Sequence, residues 1–183
     1  MKTVAVLFAR PDSLYKKLKG VDVYDKERDA LTWPGGCPVI AHPPCRLWGV
    51  LSHLSSADPK EKELATWAVE QVRENGGVLE HPSGSRLFKN LPPVDGLPDE
   101  FGGFTILIDQ YDFGHVAPKK TKLYICGMDR SELPPIPPKN TAVPVRSICG
   151  NIPGTTRCTG YQREHTPAEL AEWLLTVARR CEK

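Results

Sequence analysis

The chain has 183 residues, a formal net charge of +2, 40% hydrophobic and 25% charged residues, and a chain of about 150 residues already buries roughly 70% of its unfolded surface, so one core is feasible. No run approaches the roughly 18 apolar residues of a membrane span, and the opening MKTVAVLFARPDS lacks the small-residue cleavage site of a signal peptide. The expectation is a cytoplasmic protein of one domain, 1–183, without a membrane partner; so small a net charge neither requires nor excludes nucleic acid.

In chain order, Thr3 to Ala9 is β-branched and apolar without alternation, the pattern of a strand buried on both faces of a parallel sheet. Arg10, Pro11, Asp12 and Ser13 break the run. Leu14 to Lys19 then has helical composition, with Asp12 or Ser13 as its cap and Gly20 as its stop. Val21 to Tyr24 reads as a second strand closed by Asp25. An acid at that point takes a ribose hydroxyl in nucleotide-binding folds, or simply turns the chain. Pro38 to Ala41 is the third strand. It ends in His42-Pro43-Pro44-Cys45, where two prolines fix φ and remove amide donors, so Cys45 is presented from a stiff turn. A cysteine held in this way is a candidate nucleophile.

Asp58-Pro59-Lys60-Glu61 has the cap, first-turn proline and capping box of a helix start. Leu64, Trp67, Ala68, Val69 and Val72 give that helix a buried face, and Asn75-Gly76-Gly77 ends it. Val78-Leu79 is a short strand running into Glu80-His81-Pro82, which repeats the order strand, reactive side chain, proline. Leu91 to Gly103 reads as loop, Phe104 to Ile108 as a strand and Gln110 to His115 as a polar turn. Lys119-Lys120-Thr121-Lys122 leads into a strand over Leu123 to Cys126. Residues 127–162 are proline-rich and irregular, the kind of stretch that serves function or moves. Thr166-Pro167-Ala168-Glu169 is a second capping box, opening a helix with Leu170, Trp173, Leu174, Val177 and Ala178 inward. Alternating strands and helices predict an α/β fold with a mainly parallel sheet. Sites in such sheets lie beyond the carboxyl ends of the strands, where Asp25, Cys45 and Glu80 fall.

Cysteines stand at Cys37, Cys45, Cys126, Cys149, Cys158 and Cys181, with no Cys-x-x-Cys pair, which in a cytosolic chain reads as reduced thiols. His42, Cys45, Cys149, Cys158 and His165 have spacings that match no common zinc site, so no metal is expected.

Several blocks occur in an order that resembles the DNA cytosine-5 methyltransferases. Leu7-Phe8-Ala9 resembles the start of that family's cofactor loop, and Asp25 stands where it has a ribose-binding acid. Pro43-Pro44-Cys45 resembles its Pro-Cys nucleophile loop, and Glu80-His81-Pro82 its Glu-Asn-Val block. Asp112-Phe113-Gly114 followed by Lys120-Thr121-Lys122-Leu123-Tyr124 resembles Asp-Tyr-Gly followed by Arg-x-Arg-x-Tyr. Arg163 and the Thr166-Pro167-x-Glu169-x-Ala171 segment resemble the last block, which returns to the cofactor pocket. The resemblance implies a single-domain Rossmann-like, methyltransferase-like sheet flanked by helices. It implies Cys45, Glu80, Lys120 and Lys122 as catalytic residues, and Phe8, Ala9, Arg10, Asp12, Ser13, Asp25 and Pro43 around S-adenosylmethionine. His42, Pro44, His81, His115 and Arg163 would touch the substrate, DNA or a pyrimidine nucleotide.

The implied chemistry needs these residue types. Pyrimidine C5 is a poor nucleophile; a thiolate adding to C6 makes it enamine-like, and a carboxylic acid at N3 assists. A base inside a duplex would have to be flipped out. The chain also departs from the family. Arg10, Pro11, Asp12 and Ser13 replace a glycine-rich loop, and Arg10 suits an anion better than a methionine moiety. His81 replaces asparagine, Lys120 and Lys122 replace arginines, Pro118 replaces glutamine, and His115 is inserted beside the site. No target-recognition domain fits into the proline-rich interval, so low sequence specificity is expected. Small proteins of this pattern resemble phage and prophage products. Two other readings stand beside the first: an enzyme independent of S-adenosylmethionine that holds a nucleotide phosphate on Arg10, and a non-catalytic phage protein that binds DNA or a host factor.

Overall fold

Residues of the first strand divide between two cores, with Val4 and Val6 packed into one, Ala5 and Leu7 into the other, and none of the four exposed. A strand buried on both faces needs no polar alternation, which is why the sequence shows none. The computed structural model describes residues 2–49, 52–148, 150 and 152–183. Its centre is a six-stranded sheet in the order β2-β1-β3-β4-β6-β5. The strands are β1 (Val4–Leu7), β2 (Val21–Tyr24), β3 (Val39–Ala41), β4 (Gly77–Pro82), β5 (Phe104–Asp109) and β6 (Lys120–Cys126). The first four pair in parallel, and β6 runs antiparallel to both β4 and β5. The fold is therefore α/β with a mainly parallel sheet and flanking helices.

Helix α1 (Glu61–Asn75) covers one face through Ala65, Ala68, Val69 and Val72. Helix α3 (Ala168–Arg180) covers the other through Leu170, Leu174, Val177 and Ala178. β1 lies between β2 and β3, so the strand order reverses there and a crevice opens at the carboxyl ends of β1 and β3. At the opposite end, β3 and β4 approach closely. Gly77 has φ +129 and pairs with Val39; a Cβ added there would lie 2.0 Å from the Val39 carbonyl oxygen.

Several local expectations change. Leu14–Lys17 is a single 3-10 turn, capped by Ser13, whose Oγ accepts from the Tyr15 amide at 3.4 Å. At the start of α1, Asp58 caps the preceding turn by accepting from the Lys60 amide at 2.9 Å, while Glu61 turns away to pair with Arg46 at 2.7 Å, so no capping box forms. The second expected box is also missing: Pro167 holds the cap position of α3 without a side-chain bond. β4 runs on to Pro82 and β6 begins at Lys120 because Pro82 pairs with Thr121 across the two strands. The proline-rich stretch contains a two-stranded pair, β7 (Arg146–Ser147) with β8 (Thr156–Arg157), and the short helix α2 (Gly160–Glu164). Thr159 and Gln162 cap α2 reciprocally. Cys149 lies outside the described residues.

Candidate functional site

The carboxyl ends of β1, β3 and β4 open into one cavity of about 460 Å³, within the size range of small-molecule sites. Phe8, Ala9, Arg10, Asp12 and Ser13 line it from the loop after β1. His42, Pro43, Pro44 and Cys45 come from the turn after β3, Glu80 and His81 from β4, and Arg163 from α2. Twelve of the sixteen residues expected from the sequence thus share one cavity, although they span most of the chain.

At its base lies a hydrogen-bonded row that crosses three elements. Glu80 Oε2 is 3.0 Å from His42 Nδ1, and His42 Nε2 is 3.3 Å from the hydroxyl of the buried Tyr15. Gln110 Nε2 donates to Glu80 Oε1 and to Thr121 Oγ1, both at 3.0 Å. Burial alone would raise the Glu80 carboxyl. The His42 hydrogen bond, the Lys119 charge and the two neighbouring imidazoles outweigh it and bring the carboxyl down to about 2. Glu80 is consequently a carboxylate at neutral pH, not a free acid. Next to it, His81 is buried with its Nδ1 2.7 Å from Ser85 Oγ, and burial lowers its pKa despite the Glu80 charge.

Cys45 stands at the cavity wall, exposed as a residue. Its thiol is pushed up, first by desolvation from the surrounding walls and then by the charge of Glu80, with Lys119 opposing. It is mainly a protonated thiol at neutral pH. Alkylation of Cys45 by iodoacetamide should therefore be slow at pH 7.5 and still accelerate above pH 9, because only the thiolate reacts. Lys119→Gln should slow it further. An alkylation profile that levels off below pH 8 would contradict this electrostatic picture.

The mouth carries charge of both signs. Arg10 reaches across it: Nε bonds Asp12 at 3.0 Å, Nη1 bonds Glu164 on α2 at 2.7 Å, and the guanidinium lies 5.0 Å from the centre of the Tyr161 ring. The hydrogen bond to Asp12 raises the Arg10 pKa despite some burial. Lys119 and Arg163 also face the cavity, and among the described residues neither pairs with a carboxylate.

Four expected residues lie elsewhere. Asp25 ends β2 outside this cavity. Its Oδ1 accepts from the Glu27 and Arg28 amides at 2.9 and 3.0 Å and its Oδ2 meets Lys16 at 2.5 Å; the Lys16 bond, aided by those amides, brings it down to about 2. It is a strand-end turn residue with both oxygens engaged. Lys120 and Lys122 project from the wrong face of β6. Side chains alternate along a strand, so Thr121 shares the Glu80 side while Lys120 pairs with Asp109 at 3.3 Å and Lys122 lies over Phe88. His115 is buried, its ring nitrogens 2.7 and 2.8 Å from the Ala117 and Gln162 carbonyls, so it clamps a loop to α2. In exchange the structure brings in Tyr15, Gln110 and Lys119. Alternation along Lys119 to Leu123 held the signal for the last, since Lys119 has the parity of Thr121 and Leu123, which share the Glu80 side, whereas Lys120 and Lys122 have the other.

Among the described residues no three His, Cys, Asp or Glu side chains gather into a metal-binding group, and no helix is long and apolar enough to cross a membrane. Comparison with family models, curated proteins and solved structures finds no match.

Proposed function

We propose that the protein is a pyrimidine-modifying enzyme that activates C5 of a cytosine by covalent addition of Cys45 to C6, on a Rossmann-like sheet of the methyltransferase type. The observation that carries the reading is the convergence of Cys45, Glu80 and His42 on one cavity at the point where the strand order reverses. Fold analogy alone would not suffice.

Glu80 binds as a carboxylate. An ionised oxygen accepts from the exocyclic amine of cytosine and repels the carbonyl of uracil or thymine. The proton held between Glu80 Oε2 and His42 Nδ1 is the one available to N3. Tyr15 fixes the far side of the imidazole and Gln110 the far oxygen of the carboxylate. Cys45 loses its proton to solvent as sulfur bonds to C6, and the electrons of the 5,6 double bond move to C5. C5 takes a proton from water; loss of the original hydrogen from C5 then expels the thiolate and restores the ring. In heavy water the net result is exchange of the C5 hydrogen, with no other reactant consumed.

On our reading the loop after β1 does not fit S-adenosylmethionine. Phe8 holds a left-handed φ of +61, Arg10 and Asp12 fill the approach where the family's loop is glycine-rich, and the oxygens of Asp25 are engaged. No step is routed through that cofactor. The test is proton NMR of deoxycytidine 5′-monophosphate in heavy water. Loss of the C5 signal should occur with the intact protein, fall to the uncatalysed rate with Cys45→Ser, and slow about a hundredfold with His42→Asn. Full exchange by Cys45→Ser would reject the mechanism.

A further inference from the structure

Lys119 and Arg163 face the cavity from different elements, one just before β6 and one on α2, and among the described residues neither has a carboxylate partner. Every other arginine or lysine on the cavity wall is neutralised: Arg10 by Asp12 and Glu164, Arg46 by Glu61. Two cations without a carboxylate partner thus line the same cavity as the buried Glu80–His42 pair. The Lys119 charge reaches both Glu80 and Cys45, so one cation sits close to the reacting end.

Resting on the reading above, we propose that Lys119 and Arg163 form a phosphate subsite for a free pyrimidine nucleoside 5′-monophosphate, with the base held at Glu80 and Cys45. The volume of about 460 Å³ admits one nucleotide and leaves little for neighbours. The rim explains why the phosphate is terminal and not part of a strand. Asp12 and Glu164 are half or more exposed at the mouth, and Arg10 bridges them across it. A polynucleotide would bring its flanking phosphodiesters against these carboxylates, where like charges repel. A monophosphate ends before them. Its dianion gains charge-assisted bonds from an ammonium and a guanidinium, the latter able to bind two oxygens at once.

The test is calorimetric binding of deoxycytidine, deoxycytidine 5′-monophosphate and a single-stranded oligodeoxynucleotide containing one cytosine, at 50 and 200 mM salt, to the intact protein and to Lys119→Gln and Arg163→Gln. The monophosphate should bind at least about tenfold more tightly than the nucleoside, and either variant should bring that ratio toward one. Circular dichroism and urea midpoints identify a variant that misfolds, in which case the other decides. Equal affinity for nucleoside and monophosphate overturns the subsite, as does tighter binding of the oligonucleotide with a steeper salt dependence. The exchange assay separates this from the chemistry. Monophosphate binding that depends on Lys119 without C5 exchange keeps the subsite and rejects the reaction. Exchange on both ligands at equal affinity does the reverse.

Discussion

Gly77→Ala should destabilise the protein by about 4 kcal/mol or more, the range reserved for strain and overpacking at sites that cannot relax. The added methyl would stand 2.0 Å from the Val39 carbonyl oxygen and 2.6 Å from the Val39 amide nitrogen. Both are backbone atoms of a paired strand, so no side chain can swing away. The φ of +129 adds a conformation that alanine resists. Relief requires β3 and β4 to part, and these strands deliver His42 and Cys45 on one side and Glu80 on the other. Urea unfolding measures the effect, with Gly84→Ala as the control. Gly84 is exposed with no atom within 4 Å of its added methyl, so its change should stay within about 0.5 kcal/mol. Equal midpoints for the two variants would mean that the strands can separate freely.

Glu80→Gln should remove one large acid-sensitive contribution to the stability, beside that of Asp25. The carboxyl falls from an ordinary 4.5 to about 2 on folding. A group depressed by folding stabilises the native state above its unfolded value, and the contribution disappears as pH falls from about 4.5 to about 2. The gap corresponds to about 3 kcal/mol. At pH 7 the variant should be less stable by roughly that amount, and the two unfolding midpoints should draw together below about pH 4.5 and converge only as the pH falls below about 2. Parallel curves across the window would place the acid sensitivity elsewhere. The same substitution deletes the charge that helps hold the Cys45 thiol up, so alkylation of Cys45 should become faster in the variant, whereas the proposed pyrimidine reaction should be lost.

Much of this was legible in the residues themselves. The apolar runs around β1, β2, β3 and β5 gave strands within a residue or two of their ends, and the stiff prolines after β3 placed Cys45 at the cavity. Pairing decided what lay beyond local pattern. Glu80-His81-Pro82 looked like a strand end, yet its partner β6 extends it. Lys120 and Lys122 were expected at the site because a motif was read by order, whereas strand alternation turns them to the other face. Tyr15 and Gln110 carry no motif; only the fold places them against His42 and Glu80. Asp25 resembled a ligand-binding acid, and the difference lies in Lys16 and two amides that use up its oxygens.

The covering of the sheet by α3 has a consequence for the order of assembly. Val4 and Val6 on the first strand share their core with Leu170, Leu174 and Val177 on the last helix. The two ends are also tied directly, Lys2 Nζ donating to the Cys181 carbonyl at 2.5 Å and Arg179 to the Lys19 carbonyl at 2.7 Å. During synthesis, much of one side of the sheet must therefore wait without its main cover, with residues such as Leu14, Leu18 and Phe113 against it, until α3 leaves the ribosome. The nascent chain is most exposed to aggregation just before α3 emerges, and chaperone binding should peak once β6 is out and fall as α3 docks.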